Sequence, residues 1–344
     1  MQGQKCYTIY LFKTFAIFMV VYVHSLNIYN YCALSVPKIL VPLSALAETG
    51  APLFMIISGF LFFRKEVDWK ANVNKKTKRL LIPFLIWSVF WVIFETVASM
   101  IFSNNRLVIG TDILSIIDAV FGIPFGHEPL YTPLWYIREL FILSIFAPLI
   151  QKPLRRWPCA FFLIGVMLWF LPIGFVLKKT VVAFVIGGVL SVKRGCLERL
   201  NSVDCRYCIL LLLVSGTISY VRNDIFFSAS IVLNLVSVYL IGNRIVQNSS
   251  LKYVSEKLSN HIFFIFVTHG KLLSLMQMAY VSVLSNQIWV CFGYFFIPVI
   301  CVLICIYVSF VFRKLFPKAY YISTGISIGK DCLITSFKEP PQPV

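Results

Sequence analysis

Two ionisable side chains, Lys13 and His24, stand inside the first apolar run of the chain, YLFKTFAIFMVVYVHS (Tyr10 to Ser25). They are eleven residues apart. At about 3.6 residues per turn, one helical face carries both, about 16 Å apart, with Ile17 and Val20 filling the stripe between them. An ionisable group in hydrocarbon costs several kcal/mol, so it turns toward a protein interior and marks chemistry. The competing reading is a lysine snorkelling to one interface and a histidine resting at the other. The shared face favours chemistry.

Further candidates lie downstream. PLWYIRELF sets Arg138 beside Glu139, and neighbours on a helix point about 100° apart, so each is expected to find its partner on another helix or on a substrate. A structural ion pair between helices is the competing reading. HIFFIFVTHGKLL holds His269 and Lys271 well inside an apolar run. An imidazole can take a proton from a hydroxyl near neutral pH, which makes His24 and His269 the candidates for acid–base work. A lone core histidine is otherwise a packing residue. Ser58-Gly59 forms a small-residue notch suited to close helix approach. There is no G-x-S-x-G, HExxH, Walker A or G-x-G-x-x-G pattern, so serine-hydrolase, metalloprotease, NTPase and dinucleotide readings lack support, and no metal is expected.

The elements that position these residues are membrane helices. The chain is 59% hydrophobic and 13% charged, with a mean hydropathy of +0.84, whereas a soluble domain is nearer a quarter charged. The excess of 31 Lys+Arg over 14 Asp+Glu is read as the positive-inside bias of a polytopic protein rather than as a nucleic-acid surface. A basic face would also suit an anionic cytosolic ligand such as a nucleotide or coenzyme A, though anionic lipid headgroups explain it equally well. Most of the ten cysteines lie in apolar runs or in loops placed in the cytoplasm, and they are read as reduced packing residues. Cys205 and Cys208 form one C-x-x-C without a second pair. The first run lacks a small-x-small cleavage site and is read as retained.

Taken in order, the expected spans are Ile9–Leu26, Val41–Phe63, Leu80–Phe102, Pro133–Ile150, Cys159–Leu177, Thr180–Val192, Tyr207–Val221, Ile225–Gly242, His261–Leu284 and Ile288–Phe312. RKEVDWKANVNKKTKR carries seven basic residues against Glu66 and Asp68 and fixes the cytoplasmic side. The segments then placed outside hold Lys38, Arg106, Lys178, Lys179 and Arg222. A short interfacial helix is expected over Ile113–Phe121, and the shorter spans are expected to be buried centrally. The fold class is therefore all-α and polytopic, with about ten transmembrane helices and both termini cytoplasmic. Residues 1–316 form the membrane domain and 317–344 a cytoplasmic tail.

Five stretches, in order, resemble motifs of the acyltransferase 3 family of integral-membrane acyltransferases. LFKTFAIFMVVYVHS is similar to its first span, with a basic residue eleven positions before a histidine. TGAPLFMIISGFLF resembles its second-span motif, KKTKRLLIPFLIWSVFW its basic entry to span three, PLWYIRELF its fourth span and LSNHIFFIFVTHGKLL its late histidine span. Lys13 stands where many members have arginine, and Tyr10 where many have an acid. The resemblance implies transfer of an acyl group, usually acetyl, from cytosolic acyl-CoA to a hydroxyl of a cell-envelope polysaccharide or lipid-linked sugar, in a bacterial plasma membrane. It implies His24 as catalytic base and Lys13 near the donor. It also implies Lys78 and Arg79 drawing in the coenzyme, and Ser58, Trp135, Arg138, Glu139 and His269 lining donor or acceptor sites. The alternatives are a transporter or exporter of a lipid-linked saccharide or small anion, and a catalytically idle scaffold. A transporter is expected to show inverted repeats and Gly/Pro-broken spans, which are not seen, and it leaves the Lys13/His24 spacing unexplained.

Overall fold

A computed structural model describes residues 2–101, 113–122, 128–171, 176–204, 206–221 and 223–326. Helices and turns make up these residues, with no strand among them. The order begins with α1 (Gln2–Val23), the 3₁₀ turn His24–Leu26, α2 (Asn27–Tyr31), α3 (Val41–Ala47) and α4 (Gly50–Phe62). It continues with α5 (Trp69–Lys76), a π-helical turn Thr77–Leu81, α6 (Ile82–Ile101), α7 (Ile113–Phe121) and α8 (Trp135–Arg156). Then come α9 (Pro158–Phe170), α10 (Val176–Val192), α11 (Arg194–Asn201), α12 (Arg206–Ser219) and α13 (Asp224–Ile245). The last four are α14 (Ser249–Ser259), α15 (Ile262–Val281), α16 (Gln287–Leu315) and α17 (Pro317–Thr324).

Among the described residues, seven helical segments are long and apolar enough to cross a membrane: Tyr7–Tyr31, Lys38–Phe62, Trp69–Ile101, Thr132–Arg156, Asp224–Ile245, Ile262–Val281 and Gln287–Leu315. The chain is a multi-pass membrane protein. The other three expected spans fall on α9, α10 and α12, of 13, 17 and 14 residues. At 1.5 Å per residue, α9 and α12 are each only about 20 Å long. Central burial holds for α10, whose Val182, Ala183 and Phe184 are buried. It does not hold for α9, which exposes Leu163, Ile164 and Met167, or for α12, which exposes Ile209, Leu210 and Leu213. These two short helices lie at the periphery, and both pack on α13.

Residue size decides the closest crossing. A methyl group at Gly59 of α4 would sit 1.9 Å from the Phe184 carbonyl oxygen, and one at Gly187 of α10 would sit 2.1 Å from that of Ile56. The expected notch is thus used from both sides, and the backbones of α4 and α10 touch. Around it, Phe63 and Phe184 meet edge-on with centroids 5.7 Å apart. A helix is found at the expected residues, with Ile113 and Leu114 exposed.

The packed body continues past the boundary expected at residue 316. In α17, Tyr320 is fully buried, and its hydroxyl donates to the Asn260 carbonyl at 3.2 Å. Trp87 of α6 donates to the Ser323 carbonyl at 2.9 Å. The helix closes on Gly325 in the left-handed region (φ +67°), a conformation that costs glycine nothing. Expectations for Arg106, Arg222, Cys205 and the tail from residue 327 fall outside the described residues.

Candidate functional site

His24 is placed by three elements. α1 ends at Val23, and the 3₁₀ turn that follows tightens the backbone. The fully buried Ser25 anchors this turn by donating to the Tyr294 carbonyl of α16 at 2.8 Å. Its own carbonyl accepts from Gln277 Nε2 of α15 at 3.0 Å. One turn earlier, Tyr22 donates to the Phe295 carbonyl at 2.8 Å. The half-buried His24 ring therefore hangs from a backbone pinned on two helices.

Opposite it stands His269, fully buried on α15, with ring centroids 5.4 Å apart and planes 43° from parallel. The two histidines singled out in separate spans thus meet. His269 Nδ1 lies 3.0 Å from the Ile265 carbonyl and 2.9 Å from that of Phe266. A carbonyl oxygen only accepts, so Nδ1 carries the proton and Nε2 carries a lone pair. In a regular helix Phe266 would be the i−4 acceptor for Gly270. The Gly270 N–H also donates to the Tyr131 hydroxyl at 2.9 Å. Tyr131 in turn stacks on Trp91 at 4.8 Å, and Trp91 donates to the Val267 carbonyl at 2.9 Å.

An aromatic wall continues from His269. Phe266 lies 6.0 Å from the imidazole, Tyr136 lies 5.4 Å from Phe266, and Phe54 lies 6.0 Å from Tyr136. The Tyr136 ring and Ser58 are close neighbours. Trp135 meets Tyr136 edge-on at 6.0 Å. His24, His269, Ser58 and Trp135 therefore belong to one neighbourhood.

Arg138 and Glu139 diverge, as adjacent helical positions must. Arg138 Nη1 donates to the Phe121 and Gly122 carbonyls at 2.5 and 3.1 Å, where a guanidinium satisfies the free carbonyls at the end of α7. It also borders an apolar cavity of about 200 Å³ lined by Phe84, Phe121, Phe141 and Ile142. The buried Glu139 accepts from Thr180 of α10 at 2.7 Å and lies 4.0 Å from Arg138. Both readings are realised in part, since each residue reaches another helix and the two also face each other.

Lys13 is half-buried on α1, eleven residues before His24, and has no ion pair among the described residues. Ile17 and Val20, which separate them, are buried, so the stripe faces the interior. Lys78 is exposed and Arg79 half-buried on the π-helical turn; no described contact joins either to the histidines. Lys271 pairs instead with Glu95 of α6 at 2.5 Å.

Sequence reasoning passed over Glu95 and Glu48. Both are acids inside apolar runs, and that signal was available. Glu48 sits at the break between α3 and α4, with Lys179 as its electrostatic neighbour. Among the described residues, no group of three or more His, Cys, Asp or Glu side chains could hold a metal.

Comparison with known proteins gives two findings. A family model described as an acyltransferase domain matches residues 7–312. The succinoglycan biosynthesis protein ExoH of Rhizobium meliloti (strain 1021) is 25% identical over 323 residues, covering 87% of this chain and 84% of the relative. No solved structure matches the chain.

Proposed function

Because the chain belongs to the acyltransferase 3 family, we propose that it moves an acyl group, acetyl in the simplest case, from cytosolic acyl-CoA to a hydroxyl of a cell-envelope polysaccharide or lipid-linked sugar. The observation that carries this reading is the meeting of His24 and His269 in an aromatic-walled site within the matched residues. The saccharide acceptor draws support from the relative named for succinoglycan biosynthesis. The transporter alternative has no comparable support.

In this reading ten segments cross a bacterial plasma membrane, with α9, α10 and α12 joining the seven longer ones. Both termini are cytoplasmic, and the catalytic membrane domain runs past residue 316 through α17, with the tail following it. Coenzyme A approaches the basic 64–79 segment, where Lys78 and Arg79 attract its phosphates. Lys13 lies along the path to the thioester. His24 takes the proton of the acceptor hydroxyl, and the alkoxide attacks the thioester carbonyl. The C–S bond breaks, and the coenzyme thiolate leaves with the proton returned by His24. Ser58, Trp135 and His269 wall the site, while Arg138 and Glu139 shape its margin. A positioned base is worth about 10²–10⁴-fold. Positioning and oxyanion stabilisation supply the rest.

The test is transfer of label from acetyl-CoA into total envelope glycans by the purified protein in nanodiscs. His24→Ala should abolish transfer while leaving expression and insertion unchanged. Full activity in that variant would sink the assignment of His24.

A further inference from the structure

We infer that His269 is the positioning residue of His24, accepting the His24 N–H at Nε2 and so fixing which nitrogen of His24 faces the acceptor hydroxyl. This inference rests on the acyltransferase reading. A histidine acting as base must present a lone pair to its substrate, so its second nitrogen carries a proton. The partner of that proton sets the tautomer. In familiar triads a carboxylate is the partner. Here, among the described residues, no carboxylate bonds to His24.

The structure offers an acceptor of another kind. The Ile265 and Phe266 carbonyls hold the His269 proton on Nδ1, which leaves Nε2 as a lone pair. That atom is buried and has no hydrogen-bond partner. An unpaired buried polar atom costs about 1–3 kcal/mol, so a fold that keeps one has a use for it. The His24 ring is the neighbouring polar ring, at a centroid distance of 5.4 Å. Its χ2 torsion is a broad sp³–sp² rotation, so little energy is needed to turn an N–H onto His269. When His24 takes the acceptor proton, the same hydrogen bond shares the imidazolium charge with a neutral ring whose far side rests on two carbonyl dipoles. No net proton passes to His269.

Two substitutions separate positioning from packing. His269→Asn sets an amide nitrogen where Nδ1 stands, keeping the donor to Ile265 and Phe266 but removing the acceptor. His269→Gln places an amide oxygen near the site of Nε2. The protein is studied in nanodiscs with ¹⁵N-labelled histidine, its four histidines being assigned by substitution. The wild type should show His24 as a single tautomer whose N–H proton couples to a non-protonated His269 Nε2.

In His269→Asn, His24 should become a mixture of tautomers. Its kcat should fall about 10²-fold, with KM for acetyl-CoA and glycan within about twofold. His269→Gln should recover about tenfold of that loss. An unchanged His24 tautomer or full kcat in His269→Asn overturns the inference, as does coupling of His269 Nε2 to the glycan hydroxyl instead of His24. If His269→Asn does not fold, the wild-type coupling alone decides. Absence of transfer in the wild type would refute the acyltransferase reading, while the coupling would still test the pair.

Discussion

Replacing Gly59 by alanine perturbs the crossing that supports the wall of the site. The new methyl would lie 1.9 Å from the Phe184 carbonyl oxygen, whereas real Cβ contacts begin at 3.0 Å and become ordinary at 3.4 Å. The obstacle is backbone, so α4 and α10 must separate by about 1.1–1.5 Å. Opening a packed contact by 0.5–1 Å already forfeits about a quarter to a half of its dispersion energy. Overpacking of this kind costs about 1–3 kcal/mol, and the size of the shift puts Gly59→Ala at the upper end. At about 2 °C per kcal/mol for a chain of this size, the melting temperature should fall by about 6 °C. Activity should fall as well, because the adjacent Ser58 neighbours Tyr136 in the aromatic wall. The assay is thermal unfolding in nanodiscs followed by tryptophan fluorescence. Gly195→Ala serves as the control, since its methyl would meet nothing within 4 Å. A Gly59→Ala protein melting with the wild type would refute the backbone contact.

Glu95→Gln should destabilise the protein by about 1–3 kcal/mol by stranding Lys271. That is less than for a fully buried pair, because the two side chains are 21% and 33% exposed. Adding Lys271→Met should recover most of the loss in the same unfolding assay, and additive losses would show that the pair does not interact. Cys196 is exposed while Cys208, Cys301 and Cys305 are buried. A membrane-impermeant maleimide should therefore label Cys196 in inside-out vesicles but not in intact cells, as peptide mass mapping would show. The reverse pattern would invert the proposed topology.

Much of the scaffold is legible in the sequence because apolar runs and charge bias report on the bilayer directly. The helix at residues 113–121 and the notch at Gly59 follow from composition and residue size alone. Which helix fills the notch does not: periodicity assigns a face, not a neighbour, so Gly187 and Phe184 emerge only from the packing. The same limit separates His24 from His269, 245 positions apart. Lys271 was more legible than it first looked. Two residues beyond His269, it points about 200° away on the helix and cannot share that face, so an acid on another helix was required. Glu95 is that acid. The buried Tyr320 was hidden for another reason: the segment after Phe316 is short and polar on average, and a single aromatic anchor leaves no periodic trace.

The two short helices on the α13 flank have a consequence for the bilayer itself. A hydrocarbon core is about 30 Å thick, while α9 and α12 are each about 20 Å long. As spans they present a belt about 10 Å too narrow, and the exposed Leu163, Met167, Ile209 and Leu213 give lipid tails a surface to follow. In the proposed ten-span topology, headgroups would be drawn inward on that side at a cost of fractions of a kcal/mol per Å of mismatch, borne by the lipids. In that proposed topology the two aqueous compartments approach each other on that flank, and the barrier between the proposed donor side and the proposed acceptor side is at its thinnest.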